Sequence, residues 1–491
     1  MIKECFNELS GVASLKKPVG DTLKWLLVDS TMRQRLLVTV CVIVVLQLIS
    51  HINLPGIDMS ILYSGSQTVF IKMFAVNALT TAYVFVFWLK PFLGACLLLQ
   101  FASIFIPKLR VYSFGGESGR EKMVRLTYIL AIIISIVYAY AMAQQWENLA
   151  LNGLIVHPGW GFRLMIVATV AAALCFLLFL ADVVNKYGIG NGVAIISTFF
   201  IVSSAHSGQI IDWEQSRRIA PGVIVLLLMI FLVLVGVIFY FTNRSKVVEI
   251  TDGKNNTSIP FRNSMVGQEP IGWGISLIVL WGFIVARMHS AGGTFLPYPP
   301  VSGTILNVTL FSILIGMFVY LYALIVFDAK YLNGLMKKYG FSLVAVHNKG
   351  DEQQLKNMMH KALVVTVFIL CLVNMIPNMM IGLLKMPYAF ATLWYGTAIL
   401  LGVGVFSDIL HQAEFFRNKA DSGISHWAVC YTACDEFEAT IKAEFLKGKG
   451  ISSMVEPLRF SWGMPVRTVI DQYKIHVPVD KKDVARGLLM A

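Results

Sequence analysis

Charged side chains are scarce in this sequence, and acidic ones are scarcer than basic ones. Only 14% of the 491 residues are charged, with 28 Asp and Glu against 40 Lys and Arg, which gives a formal net charge of +12. Soluble globular domains carry about 25% charged residues, so the composition excludes an ordinary water-soluble protein. Hydrophobic residues make up 57% of the chain, and the mean hydropathy is +0.70. We therefore expect a lipid bilayer as the solvent, with the excess of basic residues in loops that face a membrane surface or an acidic partner.

Cysteine is also sparse, and the 7 cysteines form no regular pattern. Four lie inside apolar runs, where cysteine packs as a small hydrophobic residue: Cys41, Cys96, Cys175 and Cys371. Cys430 and Cys434, with His426 nearby, are metal-ligand residue types, but incidental cysteines at the edge of a strand are the favoured interpretation. No apolar run carries a constellation of His, Asp, Glu and a nucleophile on one face. The sequence therefore predicts no disulfide, no metal, no cofactor and no enzymatic activity.

Long apolar runs, in contrast, are plentiful. A helix needs about 20 mostly apolar residues to cross a hydrocarbon core of ~30 Å, and lipid offers no partners to an open sheet. The sequence predicts ten such helices, at residues 33–50, 80–106, 123–144, 161–182, 189–205, 220–242, 271–290, 305–327, 361–383 and 388–411. The predicted fold class is therefore an all-α polytopic membrane protein with ten transmembrane helices.

The basic residues predict an orientation, because short cytoplasmic loops retain Lys and Arg. They concentrate in the N-terminal tail and in the loops 107–125, 243–269 and 328–361, whereas the loops 145–160 and 291–304 contain almost none. Both termini are therefore predicted to be cytosolic.

The ten predicted spans divide into two equal sets on either side of the loop 205–219. A cytosolic segment, 1–32, precedes a ten-span membrane domain, 33–412. Its two halves are residues 33–205 and 220–412. An odd number of spans in each half gives the halves opposite orientations, which is the arrangement of inverted repeats.

A small soluble domain is predicted to follow the last span, over residues 424–491. His426–Cys434 alternates like a strand, Asp435 is a plausible N-cap, and a helix with an apolar stripe follows and ends at Gly448 and Gly450. Two further strands, near 451–455 and 473–479, and a last helix from Asp480 complete a βαββα pattern of ferredoxin-like type. Such a domain is expected to fold alone in water.

Five short motifs then point to a family. Arg33–Asp58, Leu89-Lys90-Pro91-Phe92-Leu93 with Gln100, Gly116–Lys122, Gly188-Ile189-Gly190-Asn191-Gly192, and Tyr395-Gly396-Thr397 with Asp408 follow one another along the chain. Their order and spacing resemble those of SecY, the channel subunit of the Sec protein translocase, over roughly residues 25–412. The resemblance implies a clamshell of two inverted five-helix halves around an hourglass pore, and a function in moving unfolded secretory proteins across, and membrane proteins into, the cytoplasmic membrane.

The resemblance also assigns site residues. It implies a pore ring, apolar in the family, at the positions of Leu89, Leu93, Leu401, Ser197 and Val279, of which Ser197 departs from the apolar pattern, with Lys90 and Asn191 beside the pore. It places a plug in the segment that contains Ser60, Ser64, Gly65, Ser66 and Asn77, and a cytosolic partner loop at His347, Asn348 and Lys349. Taken alone, the leucines would be read as packing or lipid-facing residues and Asn191 as a helix cap. Lys90 either marks a functional position, snorkels to the interface, or sits in an aqueous funnel.

The same resemblance implies binding partners, and the sequence departs from the family pattern in a loop that would contact one of them. It predicts SecE-like and SecG-like small membrane subunits, a SecA-like motor or the ribosome, an unfolded polypeptide as substrate, contact with the bilayer, and no direct nucleic-acid binding. The loop 328–361 lacks the Arg-Pro-Gly turn that usually engages the motor or ribosome, so this coupling is in doubt. The added C-terminal domain either docks a different partner or caps the cytosolic mouth. A secondary transporter and a non-conducting SecY-like scaffold remain as alternatives.

Overall fold

The fold was obtained as a computed structural model. It describes residues 12–13, 19–58, 89–114, 116–148, 155–207, 221–243, 245–251, 256–261, 305–326, 329–343, 351–384, 396–424, 426–433, 435–459, 461 and 472–490, and scattered positions between 270 and 288. The chain divides into two compact units. The N-terminal unit is Lys24–Trp213 with Thr468–Ile470, and the C-terminal unit is Met1–Leu23, Glu214–Arg467 and Asp471–Ala491. The division falls at the predicted boundary between the halves.

The helices of the first half form in chain order. They are α1 (Val19–Val28), α2 (Ser30–Ile49), α3 (Lys90–Phe105), α4 (Pro107–Phe114), α5 (Gly116–Asn148), α6 (Trp160–Tyr187) and α7 (Gly192–Ser207). Helix α5 packs against both α3 and α6, while α6 packs against α2 and α7. Asp29 caps α2, because its side chain accepts a hydrogen bond of 3.0 Å from Met32 N.

One apolar cluster ties the stretch after α2 to the α5–α6 connection. Leu54 is buried among Trp146, Phe162 and Ile166, and the backbone of Ile57 pairs with that of Ile155. A hydrogen bond of 3.2 Å from Val156 N to Gly56 O continues this pairing. The extended stretch that follows the first span is therefore held in place by packing and by the backbone.

In the second half, five helices are described over their full ranges, the last of which leads into the soluble domain. They are α8 (Pro221–Asn243), α9 (Ile305–Val326), α10 (Ala329–Lys338), α11 (Asp351–Leu384) and α12 (Gly396–Asp421). Helix α12 packs against α8 and α11, and α9 packs against α11. The described positions between 270 and 288 are also helical, so helix is present in each of the ten predicted spans.

Among the described residues, five helices are long and apolar enough to cross a membrane, by length and composition. They are Ser30–Ile49, Ser118–Gln144, Trp160–Tyr187, Asp351–Ile376 and Ala398–Asp421. Shorter apolar helices lie at Gly192–Ser203, Leu228–Asn243 and Val308–Leu321. Many side chains on these helices are exposed leucines, isoleucines and phenylalanines, which is the surface that a lipid-embedded helix presents.

A small sheet joins three segments that the loop charges assigned to the cytosol. Strand β1 (Val12–Ala13) pairs with β2 (Ser245–Thr251), which pairs with β3 (Asn256–Phe261) along its other edge and with β4 (Ser342–Leu343). The sequence analysis left 243–269 as a loop because its charges dominated the pattern. The β-branched residues of β2 are typical of a strand, and they are the feature of the sequence from which this strand could have been predicted.

The C-terminal domain has the predicted βαββα order. Its elements are β5 (Trp427–Ala433), α13 (Glu436–Gly448), β6 (Met454–Leu458), β7 (Gln472–Pro478), a short 3₁₀ turn (Val479–Lys481) and α14 (Lys482–Met490). The strand order is β5-β7-β6, and β7 is antiparallel to both neighbours. Strands β5 and β6 are thus joined by α13 with β7 between them, which is the split βαβ arrangement of ferredoxin-like folds. Asp435 caps α13, accepting from Glu438 N at 2.6 Å.

Three predicted boundaries are wrong. The Gly116–Lys122 motif, expected in a loop, forms the first turns of α5, and α11 begins at Asp351 rather than near 361. Helix α12 continues to Asp421, ten residues beyond the predicted span. Helices continue past the bilayer wherever polar side chains can still cap and pack them, and hydropathy alone does not detect such extensions.

Candidate functional site

Helix α3 positions the first pair of ring candidates. Leu89 is the N-cap residue and is fully buried, and Pro91 occupies the first turn, where its fixed backbone angle favours helix initiation. The backbone N–H of Leu93 donates to Leu89 O at 2.9 Å, so one helical turn separates the two leucines. The ring of Phe92 lies 5.9 Å from that of Tyr128 on α5. Leu89 is therefore held in a fixed place at the start of the helix.

Lys90 is the first residue of α3, and its side chain is exposed on the isolated chain. A helix N-terminus carries partial positive charge, so a cation there does not stabilise the helix. The position of Lys90 therefore has no explanation in helix stability. Its role beside the pore stays a prediction.

Two side chains of α2 hydrogen-bond to the glycine-rich motif before α7, which lies about 150 residues later in the sequence. Thr39 Oγ1 lies 3.1 Å from Ile189 O and 2.9 Å from Ile189 N, bonding both groups, and Arg35 Nη1 donates to Gly188 O at 3.1 Å. The sequence analysis missed Thr39 and Arg35. Each is an ordinary residue on an apolar or basic stretch, and only the fold brings it to the motif.

Asn191 works as the cap of α7. Its Oδ1 accepts from Val193 N at 3.0 Å and Ala194 N at 3.3 Å, and the residue is buried. Capping accounts for the residue type at this position. The additional role beside the pore, which the family resemblance implies, stays a prediction.

The other ring candidates are divided between the two units. Ser197 is buried on α7 in the N-terminal unit, and Leu401 is fully buried on α12 in the C-terminal unit. Both a closed constriction and ordinary helix packing require buried side chains, so the ring assignment stays a prediction. Val279, the plug residues Ser60, Ser64, Gly65, Ser66 and Asn77, and the loop residues His347, Asn348 and Lys349 lie outside the described residues.

Ser197 is chemically unusual among the ring candidates. Its hydroxyl is buried and has no hydrogen-bond partner in the described part of the chain, and the same holds for Thr198 beside it. A buried hydroxyl without a partner costs about 1–3 kcal/mol.

Among the described residues, no group of three or more His, Cys, Asp and Glu side chains is placed to hold a metal ion. In the described part of the chain, Cys41, Cys96, Cys175 and Cys371 are free thiols. The Cys430 thiol is buried and lies 3.5 Å from Ile475 O in the C-terminal domain. It packs in the sheet, as the sequence analysis favoured.

The model of the SecY family matches residues 84–410, well over half of the chain. The chain belongs to the SecY family. The match runs from the segment before α3 to the middle of α12, so it includes Leu89, Lys90, Leu93, Asn191, Ser197 and Leu401. The fold class and the resemblance drawn from the five motifs are thereby confirmed.

Curated SecY relatives are similar over most of their length. Protein translocase subunit SecY of Escherichia coli (strain K12) is 24% identical over 443 residues, covering 85% of this chain and 96% of that protein. The SecY subunit of Bacillus licheniformis is 23% identical over 410 residues, covering 78% and 94%. Among solved structures, a protein-conducting channel matches with a TM-score of 0.49 and 18% identity over 80% of this chain and 95% of that chain. Sec61 in the canine ribosome-channel complex from the endoplasmic reticulum matches with a TM-score of 0.48 and 16% identity over the same shares.

Proposed function

We propose that this chain is the channel subunit of a Sec-type protein translocase, which moves unfolded secretory proteins across a membrane and membrane proteins into it. The observation that carries the proposal is the family match over residues 84–410, together with relatives named as translocase subunits that the chain covers almost end to end. The alternative of a secondary transporter is not favoured, since such proteins need ionisable side chains near the midplane of their spans. A channel subunit performs no covalent catalysis, so no reaction is assigned.

The mechanism follows from the physics of a narrow apolar constriction. A ring of leucines excludes water and therefore ions while it is closed, and an extended polypeptide can spread it. In this chain Leu89, Leu93 and Leu401 would supply the apolar seal. Ser197 would put a hydroxyl at a position where the family resemblance implies an apolar side chain, and that hydroxyl could bond to a passing backbone.

The seal can be tested in proteoliposomes by ion conductance. The double variant L89N/L401N should raise the leak of small ions, because two amides would hydrate the constriction. The matched control is L98N/L321N, which changes two exposed leucines on α3 and α9 and should leave the leak at the basal level. If both double variants fold, as judged by gel filtration, and leak equally, the ring assignment and the conducting-channel proposal both lose their support, and the non-conducting scaffold is favoured.

We further propose a cytoplasmic-membrane location with cytosolic termini. The small sheet supports this orientation, because it joins Val12 of the N-terminal tail to Lys246 of the loop 243–269 and Ile250 of that loop to Leu343 of the loop 328–361. Three segments that share one sheet lie on one side of the bilayer, and all three carry the basic residues expected of the cytosol.

The partners we propose are SecE-like and SecG-like small membrane subunits and a cytosolic driver, either a SecA-like motor or the ribosome. Affinity purification of the chain from native membranes, followed by mass spectrometry, tests the first point. A small single-span protein should co-purify in stoichiometric amount with the full chain. Its absence, with the chain intact, would contradict the proposed assembly while leaving the family membership unchanged.

A further inference from the structure

The cytosolic continuation of α12 presents a polar face to the C-terminal domain. Asp408, Gln412, Phe415 and Lys419 are spaced by four, three and four residues, which places them on one side of a helix. Strand β6 packs against α12. Each of the four side chains makes a contact with the domain, so the face is used along its whole length.

The contact nearest to the membrane domain is made by a buried carboxylate. Asp408 Oδ2 accepts from Ser461 N at 2.7 Å, and Asp408 Oδ1 accepts from Ser461 Oγ at 2.6 Å. Both residues are buried. Hydrogen bonds to a carboxylate are short and strong when the acceptor is charged and water is excluded, so this contact fixes the position of the chain just beyond β6.

The next contacts form a chain of three polar side chains around Glu456. Gln412 Nε2 donates to Glu456 Oε1 at 3.2 Å, and His476 Nε2 lies 2.8 Å from Glu456 Oε2. Lys419 Nζ lies 3.4 Å from His476 Nδ1.

The ring of Phe415 completes this face, with its centroid 5.2 Å from that of His476. One apolar contact thus lies among the polar contacts along α12. We call the six hydrogen-bonding residues Asp408, Gln412, Lys419, Glu456, Ser461 and His476 the polar lock.

A second attachment ties the domain to the loop after α9. The ring of Tyr339, just beyond α10, lies 5.0 Å from that of Phe445 on α13, and its hydroxyl donates to Leu489 O of α14 at 3.2 Å. Tyr339 is buried. Helix α13 also packs against α10 and β3. The domain therefore contacts α12, α10 and the β2–β3 hairpin, all within the C-terminal unit.

We propose that the C-terminal domain is a fixed extension of the C-terminal unit, held by the polar lock, and that it moves as one body with α12, α10 and the β2–β3 hairpin. A freely tethered domain would leave the lock residues in water. Here five of them are buried and Lys419 is partly buried. Three pairs, Asp408 with Ser461, Gln412 with Glu456 and Lys419 with His476, join α12 to the domain, and a mobile tether would not maintain them.

This inference concerns contacts within one unit. It can therefore fail while the proposed translocation function holds, and the translocation function can fail while the inference holds. The test is a distance measurement by pulsed electron paramagnetic resonance on the full chain in nanodiscs, with the native cysteines replaced by alanine. Spin labels are placed at K361C on α11 and V484C on α14, because both side chains are exposed.

The labelled chain in which all six residues of the polar lock are unchanged should give one narrow distance distribution. The double variant D408A/E456L removes the acceptor of Ser461 and the partner shared by Gln412 and His476, and it should lose the narrow peak. The control E444Q breaks only the exposed ion pair between Glu444 and Lys447, 2.6 Å long, and should keep it. A broad distribution with the lock intact overturns the proposal whatever the variants do, and so does a narrow peak that survives in D408A/E456L.

Discussion

Gly192, at the start of α7, has no room for a side chain. A Cβ atom there would lie 2.6 Å from Ala181 Cα on α6 and closer still to the carbonyl oxygen of Ala181. The backbone of α6 cannot move without disturbing its buried packing, so G192A should destabilise the N-terminal unit by about 1–3 kcal/mol. Thermal unfolding of the solubilised chain measures the effect. The control G161A, where nothing lies within 4 Å of the added carbon, should leave the melting temperature unchanged, and equal effects of the two would contradict this packing.

Glu456 makes the C-terminal domain sensitive to acid. Burial by itself raises the pKa of Glu456, but the hydrogen bond with His476, the charges of Lys474 and His476 and the bond from Gln412 outweigh it, and the pKa falls from 4.5 to about 2. The group that faces His476 from α12 is Lys419. A carboxylate with a lowered pKa in the folded state contributes stability that is complete above pH 4.5 and is lost as the pH falls towards 2.

The matched variant for this prediction is E456Q, which cannot ionise. Melting temperatures of the full chain and of E456Q should differ most at neutral pH and converge as the pH falls through that window. Titration of other carboxylates affects both proteins alike. Curves that stay parallel down to the lowest pH at which the chain unfolds reversibly would show that Glu456 makes no such contribution.

Single residues also show where sequence reasoning stops. The caps Asp435 and Asn191 can be read from sequence, because an N-cap acts on the N–H groups two or three residues later. The hydrogen bonds of Thr39 with Ile189 and of Asp408 with Ser461 join residues that are far apart along the chain. Neither has a local signature, so only the folded chain reveals it.

At the scale of elements, the hydropathy pattern predicts the spans well and their ends poorly. The apolar runs coincide with α2, α3, α5, α6 and the later long helices, because burial in lipid selects runs of apolar residues. The end of α12 at Asp421 and the start of α11 at Asp351 lie in polar sequence. There each helix is stabilised by contacts with other parts of the chain, such as the C-terminal domain. Hydropathy averaged over neighbouring residues does not detect such contacts.

Removal of residues 424–491 tests how far α12 depends on the domain. The truncated chain would expose the ring of Phe415 and the carboxylate of Asp408, both of which contact the domain, to water, so we expect a lower melting temperature. The matched comparison is a truncation that removes only the last helix, from 482 onward, which keeps the polar lock. A chain truncated at 424 that melts like the full chain would show that the domain contributes nothing to the membrane part.

At the scale of the whole molecule, the charge pattern predicts a topology that can be measured directly. Single cysteines near residues 150, 210 and 296 should react with an impermeant maleimide from outside, and those near 115, 255 and 345 should react from the cytosol. The physical basis is the retention of Lys and Arg in cytoplasmic loops. Labelling of residue 345 only from outside would contradict the ten-span orientation.

The family and the largely helical membrane fold could be predicted from the sequence, because each rests on long apolar runs or on ordered short motifs. The pore could be predicted only as a set of positions. Leu89 and Leu401 belong to different halves of the chain, and no local pattern in the sequence encodes a contact between halves. The role of the C-terminal domain was open between docking and capping, and the buried polar lock favours an attached domain.

The central claim is that an unfolded polypeptide passes the position of Leu89 and Leu401. The most direct measurement is site-specific photo-crosslinking in native membranes, with a photoreactive amino acid at one position and a secretory substrate stalled by a folded C-terminal domain. Probes at 89 and at 401 should each yield an adduct with the substrate, and probes at the exposed positions 98 and 321 should not. Adducts that form equally at all four positions, or at 98 and 321 alone, would contradict the account.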